Sequence, residues 1–535
     1  MKVNFLKPES PFLSQRATKA VINGSDDFYG ACSIETFLPG VGNLTYTHED
    51  AQGFMDYVTK SKAGNFWMKD AGVQAWAYEE ANDNWQDTYG ADAVMAFYHS
   101  GHGNMDSNGV FQAPMGGTWD NRSWAFSNAM SLGDEQVRYL FWSTCYSLRV
   151  LGAHTPIKTW HPANKGLRMI FGYETTSVDD PNYGKYFWEE WNKGKSFCKS
   201  WLDASWRISN QQAPAVCATG ATAQEAQNRL ANERLFQAAA GSNKFYQWTW
   251  YNAAKAASKA AGALKIPAKP MAAILGGRDP EALCYRLGAA LGASKKSAGN
   301  VSVDGSGNFL LKDKRLQLFV GADGRFDVQL AKANFDNENR IDPEKARKAA
   351  ENCINDLQLH QDAQLVLSNI LFCNTQGASS KGSGTLGESR VVETIVEFRQ
   401  EIDGYRTVSN GSGVVRVGVD NDGNITSVHN STRPVLDLSV KPHSVVPAPS
   451  VASNGRAANP TSAAALEQAF EDKLDQLKQG SGQSRSAAND ATLVQSEIGY
   501  DIYANRGQLV ARRTYELDMG EGFKKMYKLQ VPLFD

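Results

Sequence analysis

The sequence predicts an α/β protein, with a mostly parallel sheet flanked by helices, followed by one or two smaller α+β units. Three observations carry this. Residues 93–98 and 137–142 are short, nearly apolar runs, the composition of strands covered on both faces, as parallel strands between layers are. Helix-period segments alternate with such runs, as a sheet flanked by helices requires. After Lys265-Ile266-Pro267-Ala268-Lys269-Pro270 the pattern changes to a capped helix and strands joined by a tight turn, the signature of a separate unit.

In chain order, residues 19–22 and 73–78 are expected as strands beside two central ones, with a helix over 48–61. The run Ala93-Val94-Met95-Ala96-Phe97-Tyr98 leads into His99-Ser100-Gly101-His102-Gly103. Glycine relieves Cβ clashes and admits close backbone approach, so His102 between two glycines is expected on an accessible turn. The run Val137-Arg138-Tyr139-Leu140-Phe141-Trp142 ends just before Cys145. The separation, 145 − 102 = 43 residues, leaves room for a loop, a helix over 123–130 and a return strand, which together make one right-handed crossover. A histidine and a cysteine are thereby both presented where parallel strands end, the edge at which α/β folds place their chemistry.

The pairing has a chemical reason. A free thiol has a pKa of about 8.5, so an adjacent imidazole or positive environment must raise its thiolate fraction before it attacks a carbonyl at neutral pH. The oxyanion that follows needs donors, and the backbone N–H groups of Gly103 and Cys145 are the candidates. His99 is read as a packed strand-end histidine. With neither a Cys-x-x-Cys nor a His-Glu-x-x-His pair near His99, Cys145, His154 and His161, no metal site is expected.

From residue 181 the pattern is helical, over 183–193, 195–208 and 222–239, with Trp188, Trp191, Trp201 and Trp206 as packing residues. An alanine-rich helix at 253–263 leads to the boundary. Asp342-Pro343-Glu344 supplies an N-cap and a proline at the first helical position for a helix to residue 357. Strands are expected at 391–399, 413–419 and 425–429, the last two joined by Asp420-Asn421-Asp422-Gly423-Asn424. Residues 441–462 read as a Pro/Ser/Ala/Asn-rich linker. A helix at 464–477, a turn at 480–486 and strands at 498–503, 509–517 and 524–531 then make a second small α+β copy. The expected organisation is a first domain over 1–265, a linker at 266–300, a module over 301–440, a linker at 441–462 and a second module over 463–535.

Composition narrows the function. With 535 residues, 42% of them hydrophobic, the chain can bury the cores of two to four domains. Its 55 basic and 57 acidic side chains leave a formal charge of −2, which offers no general attraction to nucleic acid or an anionic membrane. Seven cysteines are too sparse for a disulfide framework, and an odd count leaves a free thiol or points to a reducing compartment. The first eight residues lack the apolar core of a signal, and no run approaches about 18 apolar residues. The chain as encoded is therefore expected to be soluble and cytoplasmic, with secretion or delivery by another route left open.

At Ser100-Gly101-His102-Gly103 and Thr144-Cys145 the chain resembles the caspase-like superfamily of cysteine peptidases, which includes caspases, legumain, gingipains and metacaspases. Phe28-Tyr29-Gly30-Ala31-Cys32, Tyr46-Thr47-His48-Glu49 and Gly72-Val73-Gln74-Ala75-Trp76 look similar to a bacterial branch of it, and the likeness covers about the first 210 residues. The resemblance implies a caspase-like fold and a cysteine endopeptidase without cofactor or metal, acting on a protein or peptide substrate. His102 would be general base and acid, Cys145 the nucleophile that forms an acyl-thioester, and Gly103 and Cys145 the oxyanion donors. Legumains and metacaspases resemble each other in an acidic residue two before the nucleophile, where this chain has Ser143. In the family the next strand end helps wall the S1 pocket, which makes Ser143, Tyr173, Glu174, Asp179 and Asp180 its candidates. The three acids are the acceptors for a cationic side chain, unless they are solvated loop acids and Asp180, before Pro181, caps the next helix.

Residues 396–405 and 417–425 resemble the propeptide modules of thermolysin- and fungalysin-type metallopeptidases and the related PepSY modules, which implies a cystatin-like fold that inhibits or chaperones a peptidase. Such a module normally precedes its enzyme, whereas here it follows. An intramolecular contact between these modules and the peptidase-like domain is one expectation. The alternatives are an inactive peptidase-fold scaffold, or a structural or delivered effector whose C-terminal modules bind a partner.

Overall fold

The computed structural model describes residues 4–6, 10–11, 28–254, 264, 266–267, 269, 271–294, 301–330, 334, 336–381, 387–439, 462–481 and 491–533. The expected strand at 19–22, nearly all of the helix at 253–263 and of the linker at 441–462, and most of the turn at 480–486 lie outside these residues.

Five parallel strands form the start of the sheet, in the order Phe66–Lys69, Tyr29–Ser33, Ala96–Ser100, Tyr139–Ser143, Met169–Tyr173. Alternate side chains of a strand face opposite sides. Tyr98, Phe141 and Phe171 pack with Phe54, Trp188 and Trp201 from helices Thr47–Val58, Tyr183–Asn192 and Phe197–Ile208. Phe97, Leu140, Trp142 and Ile170 pack on the other face with Phe111 and Trp160. The fold class is thus α/β, a large sheet flanked by helices, and the tryptophans of residues 188–206 are core.

Two local expectations differ. The segment between the histidine and cysteine strands contains no helix at 123–130; it is a small antiparallel sheet of Asn104–Met105, Phe111–Trp119 and Arg122–Phe126. Asp120 and Asn121 take φ of 48° and 55°, the two-residue hairpin turn that Asp and Asn tolerate best among non-glycine residues. Residues 73–78 are not a strand either: Ala75–Ala77 is a single 3₁₀ turn, and Phe66–Lys69 pairs with Tyr29–Ser33 instead.

The sheet does not stop at the expected domain boundary. Strand Pro214–Gly220 joins Met169–Tyr173 in antiparallel register, Phe245–Tyr251 follows, and the long strand Gln364–Ser379 pairs with it. Through Arg390–Ile402, Val414–Asp420, Ile425–Asn430 and Phe326–Leu330 the same sheet runs on to a total of seventeen strands among the described residues. Helix Pro343–Asp356 starts at Asp342, whose side chain accepts from the amides of Glu344 and Lys345, and it packs on this second half. Residues 266–300, expected as a linker, carry strand Ala272–Leu275 and helix Pro280–Ala290. That strand pairs with Val435–Ser439 and Arg506–Asp518 in a separate five-stranded sheet. Helix Ala463–Gly480 covers this last sheet through Leu466, Phe470 and Leu477.

Buried charge also joins the halves. Lys195 Nζ lies 2.7 Å from Asp203 and 3.1 Å from Asp327, and it also pairs with Glu190. Asp327 belongs to the second half of the sheet. Among the described residues, no helix is long and apolar enough to cross a membrane.

Candidate functional site

Ser100 lies opposite Ser143 in the parallel ladder. His102 and Cys145 each follow two residues later, so the chain delivers them at the same level beyond neighbouring strands, whose spacing in a sheet is about 4.8 Å. Asp50 ties the two strand ends together. It accepts from Tyr98 Oη and Ser100 Oγ, both at 2.7 Å, and from the Gly184 amide at 2.9 Å, with Ser143 as a further hydrogen-bond partner. Gly103 then makes the closest approach: a Cβ there would stand 2.7 Å from the Cys145 carbonyl oxygen and 2.8 Å from Thr144 Oγ1. Only glycine permits this contact. Directly after the cysteine, Tyr146 adopts φ of 54°, an uncommon conformation for a side chain of that size, and it turns the chain sharply at Cys145.

His102 Nε2 lies 2.9 Å from the carbonyl oxygen of Gly42. A carbonyl only accepts, so Nε2 donates and the lone pair of the neutral ring resides on Nδ1. Nδ1 is buried and has no hydrogen-bond partner among the described residues. Burial, aided by the charge of Lys525, pushes the His102 pKa down to about 3. The ring is therefore neutral at pH 7 in this covered state, with Nε2 held and the lone pair on Nδ1 unengaged. Phe37 packs 4.7 Å and Phe523 5.8 Å from it, centroid to centroid.

Cys145 Sγ accepts from the Ser177 amide at 3.2 Å and lies 3.5 Å from Ser177 Oγ. Ser177 Oγ in turn accepts from Lys525 Nζ at 3.1 Å. The thiol also faces the Ser177 carbonyl oxygen at 3.8 Å, so the loop at Ser177 surrounds the sulfur. Both His102 and Cys145 are 0% exposed, which corrects the expectation of an accessible turn. The cover is the end of the chain: Phe523, Lys525 and Tyr527 are all buried, on or beside strand Lys524–Pro532. Beside them remains a depression of about 280 Å³ between Leu38, Val41, Pro114, Trp124 and Glu521.

The candidates for the S1 wall separate into two sets. Ser143 is engaged with Asp50. Tyr173 places its hydroxyl 2.8 Å from Ser205 Oγ and its ring against Trp201, in the helix-side core. Glu174 accepts from the amides of Val150 and Leu151 and pairs with Arg149, so it closes a turn. Asp180 accepts from the amide and side chain of Asn182 at 3.0 and 2.9 Å, just ahead of helix Tyr183–Asn192. Asp179 meets the covering strand: its amide donates to the Met526 carbonyl at 2.9 Å, its carboxylate accepts from the Thr45 amide at 2.9 Å, burial pushes its pKa up to about 6, and Lys525 is the strongest influence holding it down.

Sequence reasoning missed Gly42, Asp50, Ser177 and Lys525. Asp50 had a faint signal, as an acid in the first turns of a helix at a sheet edge; Gly42, Ser177 and Lys525 had none, since each acts through backbone geometry or from the far end of the chain. Also missed was a chain of Ser33, His48 and Asp70, with Ser33 Oγ 2.8 Å from His48 Nδ1 and His48 Nε2 3.0 Å from Asp70 Oδ2. Ser33 is 0% exposed and its oxygen also accepts from Trp67 Nε1, so this set anchors strand ends. His99 is packed, with Nδ1 2.7 Å from Tyr78 Oη and Trp142 beside its ring. No group of three or more metal-ligating side chains occurs among the described residues.

A family model described as a domain of unknown function, DUF6345, matches residues 32–251. The match spans both strands of the site and ends with Phe245–Tyr251, before the sheet passes into its second half. No curated protein and no solved structure matches the chain.

Proposed function

We propose that the chain is a cysteine endopeptidase with Cys145 as nucleophile and His102 as general base and acid. The observation that carries the reading is the matched register of the two strands, combined with an imidazole whose Nε2 is fixed on Gly42 and whose Nδ1 is left unpartnered. A third group that orients the base is the common logic of activated nucleophiles.

In this reading His102 Nδ1 takes the thiol proton as sulfur attacks the carbonyl carbon, and the C–S bond forms as the carbonyl π electrons move to oxygen. Backbone N–H groups at Gly103 and Cys145 receive that oxyanion. On its collapse the C–N bond breaks and His102 returns the proton to the leaving amine. Water, deprotonated by the same imidazole, then cleaves the thioester. The chemistry uses only protein groups and water.

The second reading, an inactive peptidase-fold scaffold that holds a partner, is favoured by the complete burial of both side chains. The two separate by labelling of Phe523→Ala, which uncovers His102: a peptidyl electrophile should alkylate Cys145 selectively and a further His102→Ala should abolish it. Equal labelling of all seven cysteines, or labelling indifferent to His102, overturns the peptidase reading.

A further inference from the structure

Strand Lys524–Pro532 is an edge strand of the C-terminal sheet, paired on one side with Arg506–Asp518. Its other side hydrogen-bonds the loop that follows Met169–Tyr173. The Met526 amide donates to the Ser177 carbonyl at 3.1 Å, the Asp179 amide donates to the Met526 carbonyl at 2.9 Å, and Val178 and Met526 form a parallel bridge. One residue thus makes both main-chain bonds to the loop, the way extended peptides are held by strand addition. The neighbouring residue puts its cation into the site: Lys525 is 3% exposed, bonds Ser177 Oγ and acts on the buried Asp179 carboxyl. At the other side of the cleft, the Gly522 carbonyl accepts from Asn104 Nδ2 at 3.0 Å and Phe523 lies over His102. The Met519 carbonyl accepts from the Gly42 amide at 2.7 Å, the residue whose own carbonyl holds the imidazole.

We propose that residues 522–527 are an internal pseudosubstrate, seated where an extended peptide would lie across Cys145 and His102, with Lys525 in the specificity subsite built from Ser177 and Asp179. The proposal rests on the peptidase reading and deepens it in two ways. The intact chain is latent until this strand withdraws, and the opened site selects peptides with a long cationic side chain, because the place Lys525 vacates lies at the Ser177 hydroxyl, in the same loop as the buried Asp179. A cis-acting strand also explains why a site with an oriented base is fully covered.

The experiment compares the full chain with Lys525→Met, which keeps the bulk and removes the cation, and with Phe523→Ala, which uncovers His102 without touching the strand pairing. Cys145 alkylation by iodoacetamide, read by mass spectrometry, measures opening. Fluorogenic peptides ending in lysine, alanine or aspartate measure hydrolysis. Both variants are expected to alkylate Cys145 about tenfold faster than the intact chain and to cleave the lysyl peptide over the alanyl one by on the order of 30-fold, a preference that Asp179→Asn removes. Alkylation and hydrolysis unchanged in both variants overturn the pseudosubstrate. Faster alkylation with no hydrolysis of any peptide overturns the peptidase reading while leaving the strand as a cover. Hydrolysis that rises in the variants but favours the aspartyl peptide overturns the assignment of Lys525 and Asp179 to the specificity subsite.

Discussion

Lowering the pH from 7 to 5 should destabilise the folded chain through His102 in a way that can be isolated. Its pKa falls from an ordinary 6.5 to about 3 in the folded state, so below pH 6.5 the unfolded chain binds a proton that the folded chain refuses. Stability is therefore complete above pH 6.5 and is lost as pH falls toward 3. The integrated loss is small at pH 7 and about 2 kcal/mol at pH 5 for one such histidine. His99, also pushed down to about 3 by burial and by Lys525, adds a similar amount, so the two together remove about 4 kcal/mol. Urea unfolding of the intact protein at the two pH values sums these losses with the opposite contribution of carboxyls that burial raises, such as Asp92 and Asp179, and His102→Gln, whose amide can still donate to Gly42, removes only the titrating group. The variant should lose about 2 kcal/mol less than the parent between pH 7 and 5. Identical pH dependence of parent and variant would refute the argument, since it would require an imidazole that protonates freely and hence a solvated site.

Other outcomes follow from single contacts. Gly103→Ala forces a methyl against the Cys145 carbonyl and Phe111 and should cost about 1–3 kcal/mol, seen as a lower urea midpoint. Asp50→Ala leaves the hydroxyls of Tyr98, Ser100 and Ser143 and the Gly184 amide without their acceptor; the expected loss is about 3 kcal/mol, with faster hydrogen exchange at Ser100 and Ser143. Lys195→Met removes one cation from the buried cluster of Glu190, Asp203 and Asp327, each of which keeps another in Lys193, Lys199 or Arg207. It should destabilise by about 1–3 kcal/mol and speed limited proteolysis between the halves of the sheet.

The two motifs stand where the apolar runs placed them, at strand ends: Ala96–Ser100 stops two residues before His102 and Tyr139–Ser143 two before Cys145. Helices at 48–61, 183–193, 195–208 and 464–477 were legible from periodicity, and Asp342-Pro343 was read correctly because an N-cap is a local interaction. The segment at 123–130 was misread because Trp124 and Phe126 fit either period, while the Asp120-Asn121 turn that makes it a hairpin lacks the usual glycine. The boundary at 265–270 was read from a change of composition, yet the sheet continues across it through pairing of Phe245–Tyr251 with residues 373–379. Strand pairing between distant segments leaves no mark in either one.

Among the S1 candidates, sequence proximity to the strand end put Tyr173, Glu174, Asp179 and Asp180 on equal terms. In the folded chain Glu174 and Asp180 are held by local hydrogen bonds and Tyr173 lies in the helix-side core, while the Asp179 amide bonds the covering strand at Met526.

What the sequence determined by itself is local: which runs can be strands or helices, where backbone can come close, and which side chains can carry a proton or a nucleophile. The tertiary structure decided what those groups meet. That Gly42 holds Nε2 of His102, that Asp50 joins two strand ends, and that Lys525, 380 residues beyond Cys145 (525 − 145 = 380), lies one hydroxyl away from it are consequences of long-range packing. The physical reason is that burial and hydrogen bonding act between neighbours in space, and chain separation does not record them.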